Sequence, residues 1–151
     1  MRILVAVDGS ECSDAAVGDV ARRPWPAGSV IKVVSAMEPP SVMAMPETWG
    51  PPTEYYEVLE QSAEARARQA VDKAVRTLSA AGLPAEVSGE VLRGLPKEVI
   101  LQEAERWTAD LIVMGSHGYR GLKKLWLGSV SQAVASHAPC SVQIVRCRAQ
   151  A

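Results

Sequence analysis

Hydrophobic positions along the chain follow two rhythms. Some segments are short and apolar on both faces: residues 2–7, carrying Ile3, Leu4, Val5, Ala6 and Val7, and residues 111–114, carrying Leu111, Ile112 and Val113. Such runs predict central strands of a parallel sheet. Residues 29–36 form another through Val30, Ile31, Val33 and Val34, and residues 141–146 a last one. Residues 85–92 alternate only partly, through Val87, Val91 and Leu92, which suits a strand nearer an edge. Between these runs the spacing changes to the helical period. Residues 11–23 place Ala16, Val17, Val20 and Ala21 on one face, with Ser10 or Ser13 as cap. Residues 54–81 repeat Leu59, Ala63, Ala67, Ala70, Ala74, Leu78 and Ala81 before Gly82 and Pro84. Residues 96–107 carry Val99, Ile100, Ala104 and Trp107 behind an early proline. Residues 129–136 form the final helix, with capping-box spacing from Ser129 to Gln132.

The resulting order, β-α-β-α-β-α-β-α-β, predicts an α/β fold: one doubly wound, five-stranded parallel sheet with helices on both faces and right-handed crossovers. One segment breaks the pattern. Residues 38–53 hold five prolines and one glycine in sixteen positions, so no regular element fits. A long loop of this kind in a compact domain is a functional or mobile one. Val42, Met43, Met45 and Trp49 suit a lid or a partner contact.

Composition narrows the function classes. A length of 151 residues fits one domain, 1–151, that buries roughly 70% of its unfolded surface without a metal or disulfide. The net charge is -1 at pH 7, so neither nucleic acid nor an anionic membrane is an expected partner. No apolar run is long enough for a signal peptide or membrane span, which predicts a cytoplasmic protein. The cysteines, Cys12, Cys140 and Cys147, are widely spaced and lack a C-x-x-C pair, so free buried thiols are expected. Cys140 and Cys147 flank a predicted strand and would stand more than roughly 20 Å apart, too far to bridge.

The chemistry concentrates after the strand at 111–114. Residues Met114 to Val130 read MGSHGYRGLKKLWLGSV, with Gly115, Gly118, Gly121 and Gly128 and then Ser129 and Ser131. Strand, glycine-rich turn and helix start, in that order, are the parts of a phosphate site. Glycines let backbone N–H groups approach an anion, and the helix start adds unpaired donors and a positive dipole end. The pattern is neither a Walker A loop nor G-x-G-x-x-G. From these residues alone, a plain loop with Ser129 as helix cap explains the glycines equally well. Asp8 ends the first strand beside Gly9, where an acid also serves as a turn former. In such sheets ligands sit beyond the strand C-termini where the strand order reverses, so Asp8, Ala36, Gly115 and the start at Ser129 are candidates for one crevice.

The segment ADLIVMGSHGYRGLKKLWLGSVSQAVASHAPCSVQIVR, with ILVAVDGS at the start, closely resembles the universal stress protein family over essentially the whole chain. Gly115-x2-Gly118-x9-Gly128-Ser129 matches the G-x2-G-x9-G-[ST] spacing that marks its ATP-binding branch. The resemblance implies a flavodoxin-like sheet of order 3-2-1-4-5, a homodimer pairing through strand 141–146, and bound ATP or AMP with Mg²⁺ or Mn²⁺. Carried over position by position, Gly115, Ser116, Gly118, Gly128, Ser129 and Val130 match phosphate and ribose contacts. Asp8 matches the acid that meets the nucleotide and helps hold the metal. Ala6 and Ala36 fall where the adenine pocket is lined, and Met114 borders it. Ala36 stands where the family often has valine, leaving more room.

The remaining residues add no catalytic constellation. His117 lies between two pattern glycines and is expected to face solvent, whereas His137 suits the C-terminal helix dipole. Arg120, Lys123 and Lys124 would reach phosphates or solvate the loop, and Trp126 suits core or interface. Hydrolysis of ATP needs a placed water, a base and charge neutralisation, and only a cradle is evident. The expected function is therefore a nucleotide-binding regulatory stress protein with slow or no turnover. The alternatives are an ATP-independent interaction module of the same fold, and a weak ATPase or a protein that phosphorylates itself on Ser129 or Ser131.

Overall fold

The computed structural model describes residues 1–39, 53–118 and 127–147. The elements follow the predicted order: β1 (Arg2–Ala6), α1 (Glu11–Arg22), β2 (Ser29–Met37), α2 (Thr53–Ala80), β3 (Ala85–Arg93), α3 (Pro96–Arg106), β4 (Leu111–Gly115), α4 (Ser129–His137) and β5 (Ser141–Val145). All four strand pairings are parallel, and the sheet order is β3-β2-β1-β4-β5. The proline-rich loop falls almost wholly outside the described residues, as do Arg120, Lys123, Lys124 and Trp126.

Alternation along the central strands sorts the core into two layers. Ile3, Val5 and Val7 of the β1 segment, Ile31 and Val33 of β2, and Val113 of β4 face α1 and α2, where they meet Val17, Val20, Val71 and Leu78. Leu4, Ala6, Val34, Ile112 and Met114 face the other way, onto Ile100 and Ala104 of α3 and Val134 of α4. Both faces are therefore sealed from Ile3 to Val7 and from Leu111 to Met114, which is why those stretches carry no polar residue.

The long helix departs from expectation at its start. Ala67, Ala70, Ala74 and Leu78 are buried as predicted, but Leu59 is exposed. Twenty-eight residues of helix span about 42 Å, against about 30 Å for a nine-residue strand. Ala70 already stands level with Gly9, beyond the end of β1: a Cβ on that glycine would lie 3.7 Å from the Cβ of Ala70. The helix turns before Ala67 therefore run past the end of β1 and leave Tyr55, Val58 and Leu59 at the surface.

The expectation of three free cysteines is also corrected. Cys12 and Cys147 form a disulfide across 135 positions, with Cα atoms 4.6 Å apart, while Cys140 stays a free thiol. Parallel pairing of β5 with β4 carries the chain just beyond β5 to the first turn of α1, a neighbourhood that spacing along the sequence does not reveal.

Candidate functional site

The sheet reverses its order between β1 and β4, and the C-terminal ends of these two strands are where sheets of this kind hold a ligand, the candidate crevice here. On the β1 side stands Asp8. Its Oδ1 accepts from the backbone N–H of Ser10 at 3.0 Å and from the Ser10 hydroxyl at 2.6 Å. Ser10 in turn caps α1, accepting from the Ser13 N–H at 3.2 Å. Asp8 thus forms the turn through Oδ1, while Oδ2 faces the glycine loop. A Cβ on Gly118 would lie 2.7 Å from that oxygen. The structure therefore brings the two separate motifs, Asp8 and the glycine pattern, face to face.

The two ends of the glycine pattern also meet. The N–H of Gly128 donates to the carbonyl of Ser116 at 2.8 Å. The buried Ser131 hydroxyl lies 2.9 Å from the same carbonyl and 2.9 Å from the carbonyl of Gly128, one proton serving two acceptors. Gly128 rather than Ser129 is the N-cap of α4, so the expected capping box does not form. Ser129 is the exposed first residue of the helix, and Val130 packs partly against the α3–α4 layer. The opening N–H groups of α4 have no intrahelical acceptor, so they form a donor set at the positive end of the dipole. Ser131 is the residue that sequence reasoning undervalued. In the sequence it is one more hydroxyl beside the phosphate cradle, but in the fold it ties the beginning of the glycine loop to its end.

The apolar wall of the crevice follows from register. Ala6 pairs with Val34 on one side and Met114 on the other, and all three lie in the α3–α4 layer. Ala36 is two residues beyond Val34 and so shares its face, at the open end of β2. Gly115 lies on the opposite face. A Cβ there would stand 2.7 Å from the carbonyl carbon of Cys12 and 2.8 Å from its oxygen. Its lack of a side chain serves contact with α1, not with the crevice.

His117 is not solvent-facing as expected. Its Nδ1 lies 3.1 Å from the Ser116 hydroxyl, and its buried Nε2 has no hydrogen-bond partner among the described residues. The carbonyl of His117 turns toward α1, where it accepts from the Ser10 hydroxyl at 3.4 Å. His137 meets the expectation of a helix end: its Nδ1 donates to the carbonyl of Ala133 at 2.9 Å. Among the described residues no group of three or more His, Cys, Asp or Glu side chains could hold a metal ion.

The model of the universal stress protein family matches residues 1–146. The chain belongs to the universal stress protein family. A universal stress protein of Thermus aquaticus is 35% identical over 144 residues, covering 95% of this chain and 97% of that one. Among solved structures, a universal stress protein from Lactobacillus plantarum superposes with a TM-score of 0.78 at 24% identity, covering 97% of each chain. A family member from Arabidopsis thaliana with AMP bound gives 0.67 at 24% identity, covering 99% of this chain and 93% of that one. These two likenesses establish the shared fold. Among the described residues no helix is long and apolar enough to cross a membrane.

Proposed function

We propose that residues 1–151 act as one universal stress protein domain, cytoplasmic and regulatory, that binds an adenine nucleotide, ATP or AMP, with slow or no hydrolysis. The observation that carries this reading is the convergence of Asp8, Gly118 and the start of α4 around one gap at the sheet's reversal point. The AMP held by the Arabidopsis relative supports it. Ala6, Ala36 and Met114 would line the adenine, and Ser116, Gly118, Gly128, Ser129 and Val130 would meet ribose and phosphates. Gly115 would support the loop from behind. A carboxylate facing a phosphate repels it unless a cation stands between them. Mg²⁺ or Mn²⁺ held by Asp8 and phosphate oxygens fits that requirement, since magnesium commonly takes one or two carboxylates plus substrate phosphates.

Calorimetric titration with ATP and AMP, with and without Mg²⁺, tests the reading. Saturable binding is expected, with ligand at a hundred times its dissociation constant adding about 2.7 kcal/mol of stability. No heat and no thermal shift at millimolar nucleotide would overturn it. Gly118→Val should weaken binding at least about tenfold, because the new side chain displaces the Asp8 carboxylate and blocks the backbone's approach to an anion. Its unfolding midpoint should stay close to the parent's, since the displaced group is the end of an exposed side chain.

We also propose a homodimer through strand 141–146. β5 is an edge of the sheet and carries Val142, Ile144 and Val145. An edge of that composition favours pairing with another chain. Light scattering should give twice the 16.1 kDa chain mass, and a purely monomeric mass would remove the dimer.

A further inference from the structure

The Cys12–Cys147 disulfide stands directly behind the candidate crevice. Cys12 is buried in the first turn of α1, and its backbone is the surface against which Gly115 packs. Its Sγ lies 4.0 Å from the Ser116 hydroxyl. Cys147 follows β5 by two residues, and the carbonyl of Val145 accepts from the Ser116 N–H at 2.8 Å. Farther back, the Gln143 amide donates to Asp19 of α1 at 2.6 Å. Ser116, the first residue of the glycine loop, is thus held between the two segments that the disulfide joins.

The fold does not need this covalent tie. The two-layer core described above is closed without it, and chains of this length bury enough surface to fold without disulfides. A single bridge beside a ligand crevice, in a chain that can do without a staple, fits a redox device better than a structural one.

We propose that Cys12 and Cys147 form a redox switch for the crevice: the disulfide holds the end of β5 and Ser116 in place, and a dithiol reductant releases them. A reductant thiolate attacks Cys147 Sγ, the less buried sulfur, giving a mixed disulfide and a Cys12 thiolate. The second reductant thiol then attacks the mixed disulfide, freeing Cys147 and leaving the reductant oxidised. The protein gains two electrons and, at the end, two protons. Glutathione disulfide, or another disulfide oxidant, reverses both steps. Cys140 stands apart: burial pushes its thiol pKa up, and the Asp110 carboxylate adds to the shift.

The full chain is compared after glutathione disulfide and after dithiothreitol. Alkylation in denaturant should label Cys140 alone in the oxidised protein and all three cysteines in the reduced one; three labels in both would overturn the switch. Amide exchange at Ser116 and over residues 143–147 should rise at least about tenfold on reduction, because local opening then needs no covalent break. Equal exchange would overturn the proposal. Cys147→Ser should exchange like the reduced protein with or without reductant, while Cys140→Ser should keep the response.

The coupling to ligand rests on the nucleotide reading above. AMP affinity should fall about tenfold on reduction, since a loosened Ser116 must be ordered again on binding. Equal affinity in both redox states would overturn the coupling. No AMP binding in either state, with exchange rates still different, would overturn the nucleotide reading and leave the thiol pair as a switch of crevice structure.

Discussion

Gly115→Ala is expected to lower the unfolding free energy by about 3 kcal/mol, and Gly115→Val by more, as measured by urea denaturation. The added Cβ would meet the carbonyl carbon, the carbonyl oxygen and the Cβ of Cys12 at 2.7, 2.8 and 2.9 Å. Two of these atoms are backbone, so no rotamer change relieves the contact. The helix they belong to is fixed by Ala16, Val17 and Val20 in the core and by the bond from Cys12 to Cys147. A shift of α1 would drag Ser10 and Asp8 with it, so the crevice should suffer together with the fold. Overpacking usually costs about 1–3 kcal/mol, and a buried strand end pressed on a helix backbone belongs at the top of that range. Total stabilities run near 5–15 kcal/mol, so the loss should take a large share of the margin and be plain in the urea midpoint. An alanine variant with an unchanged midpoint would mean that α1 does not stand against β4 at this distance.

Gly115 and Gly118 therefore separate by mechanism. One glycine admits a helix and the other admits a ligand, so one substitution should read out in stability and the other in affinity. Their spacing alone carries neither assignment, because both tasks ask only that a side chain be missing.

Where each element sits was legible because the core leaves a plain mark. Ile3, Leu4 and Val5 follow one another without a polar residue between them because both faces of β1 are covered there, and Ala67, Ala70 and Ala74 repeat at helical spacing because one stripe of α2 meets the sheet. The order of the strands came from family resemblance, since periodicity does not say which strand lies beside which. Features made by long-range proximity were less legible. Ser131 reads as a hydroxyl for a phosphate until the fold places the Ser116 carbonyl 2.9 Å from it. Cys12 and Cys147 are 135 positions apart and meet only because β5 returns beside α1. Leu59 continues the apolar stripe of α2, but the helix has by then passed the end of β1, and periodicity carries no information about where a sheet stops.

The largest electrostatic effect is expected at Lys32. Its Nζ lies 2.7 Å from Glu103 and also pairs with Glu90, so a strand of the central sheet is fastened to α3 through a carboxylate only 4% exposed. Arg106 completes the cluster, donating through Nε and Nη2 to Glu103 at 2.8 and 2.9 Å. Burial alone would push the Glu103 carboxyl up; the hydrogen bonds and charges of Lys32 and Arg106 outweigh it and hold the carboxyl below its ordinary value of 4.5. For Lys32, burial likewise opposes the charge, but Glu103 and Glu90 win and raise the ammonium above 10.5. Lys32→Ala leaves the buried carboxylate with the largely exposed Arg106, and should cost about 3 kcal/mol near neutral pH. The pH dependence has a definite sign. A depressed carboxyl contributes stability above pH 4.5 that is lost as pH falls through its folded value, and a raised ammonium contributes below pH 10.5 and fades as pH climbs through its own. The difference between parent and Lys32→Ala should therefore be widest between these limits and narrow in acid, where a protonated Glu103 no longer needs a cation. Removing both charges, as Lys32→Met with Glu103→Leu, should recover most of the loss, because the penalty comes from a charge left alone in the interior and not from the pair itself. If the double variant were as unstable as Lys32→Ala at pH 7, packing of the lysine stem would be the cause and the electrostatic account would fall.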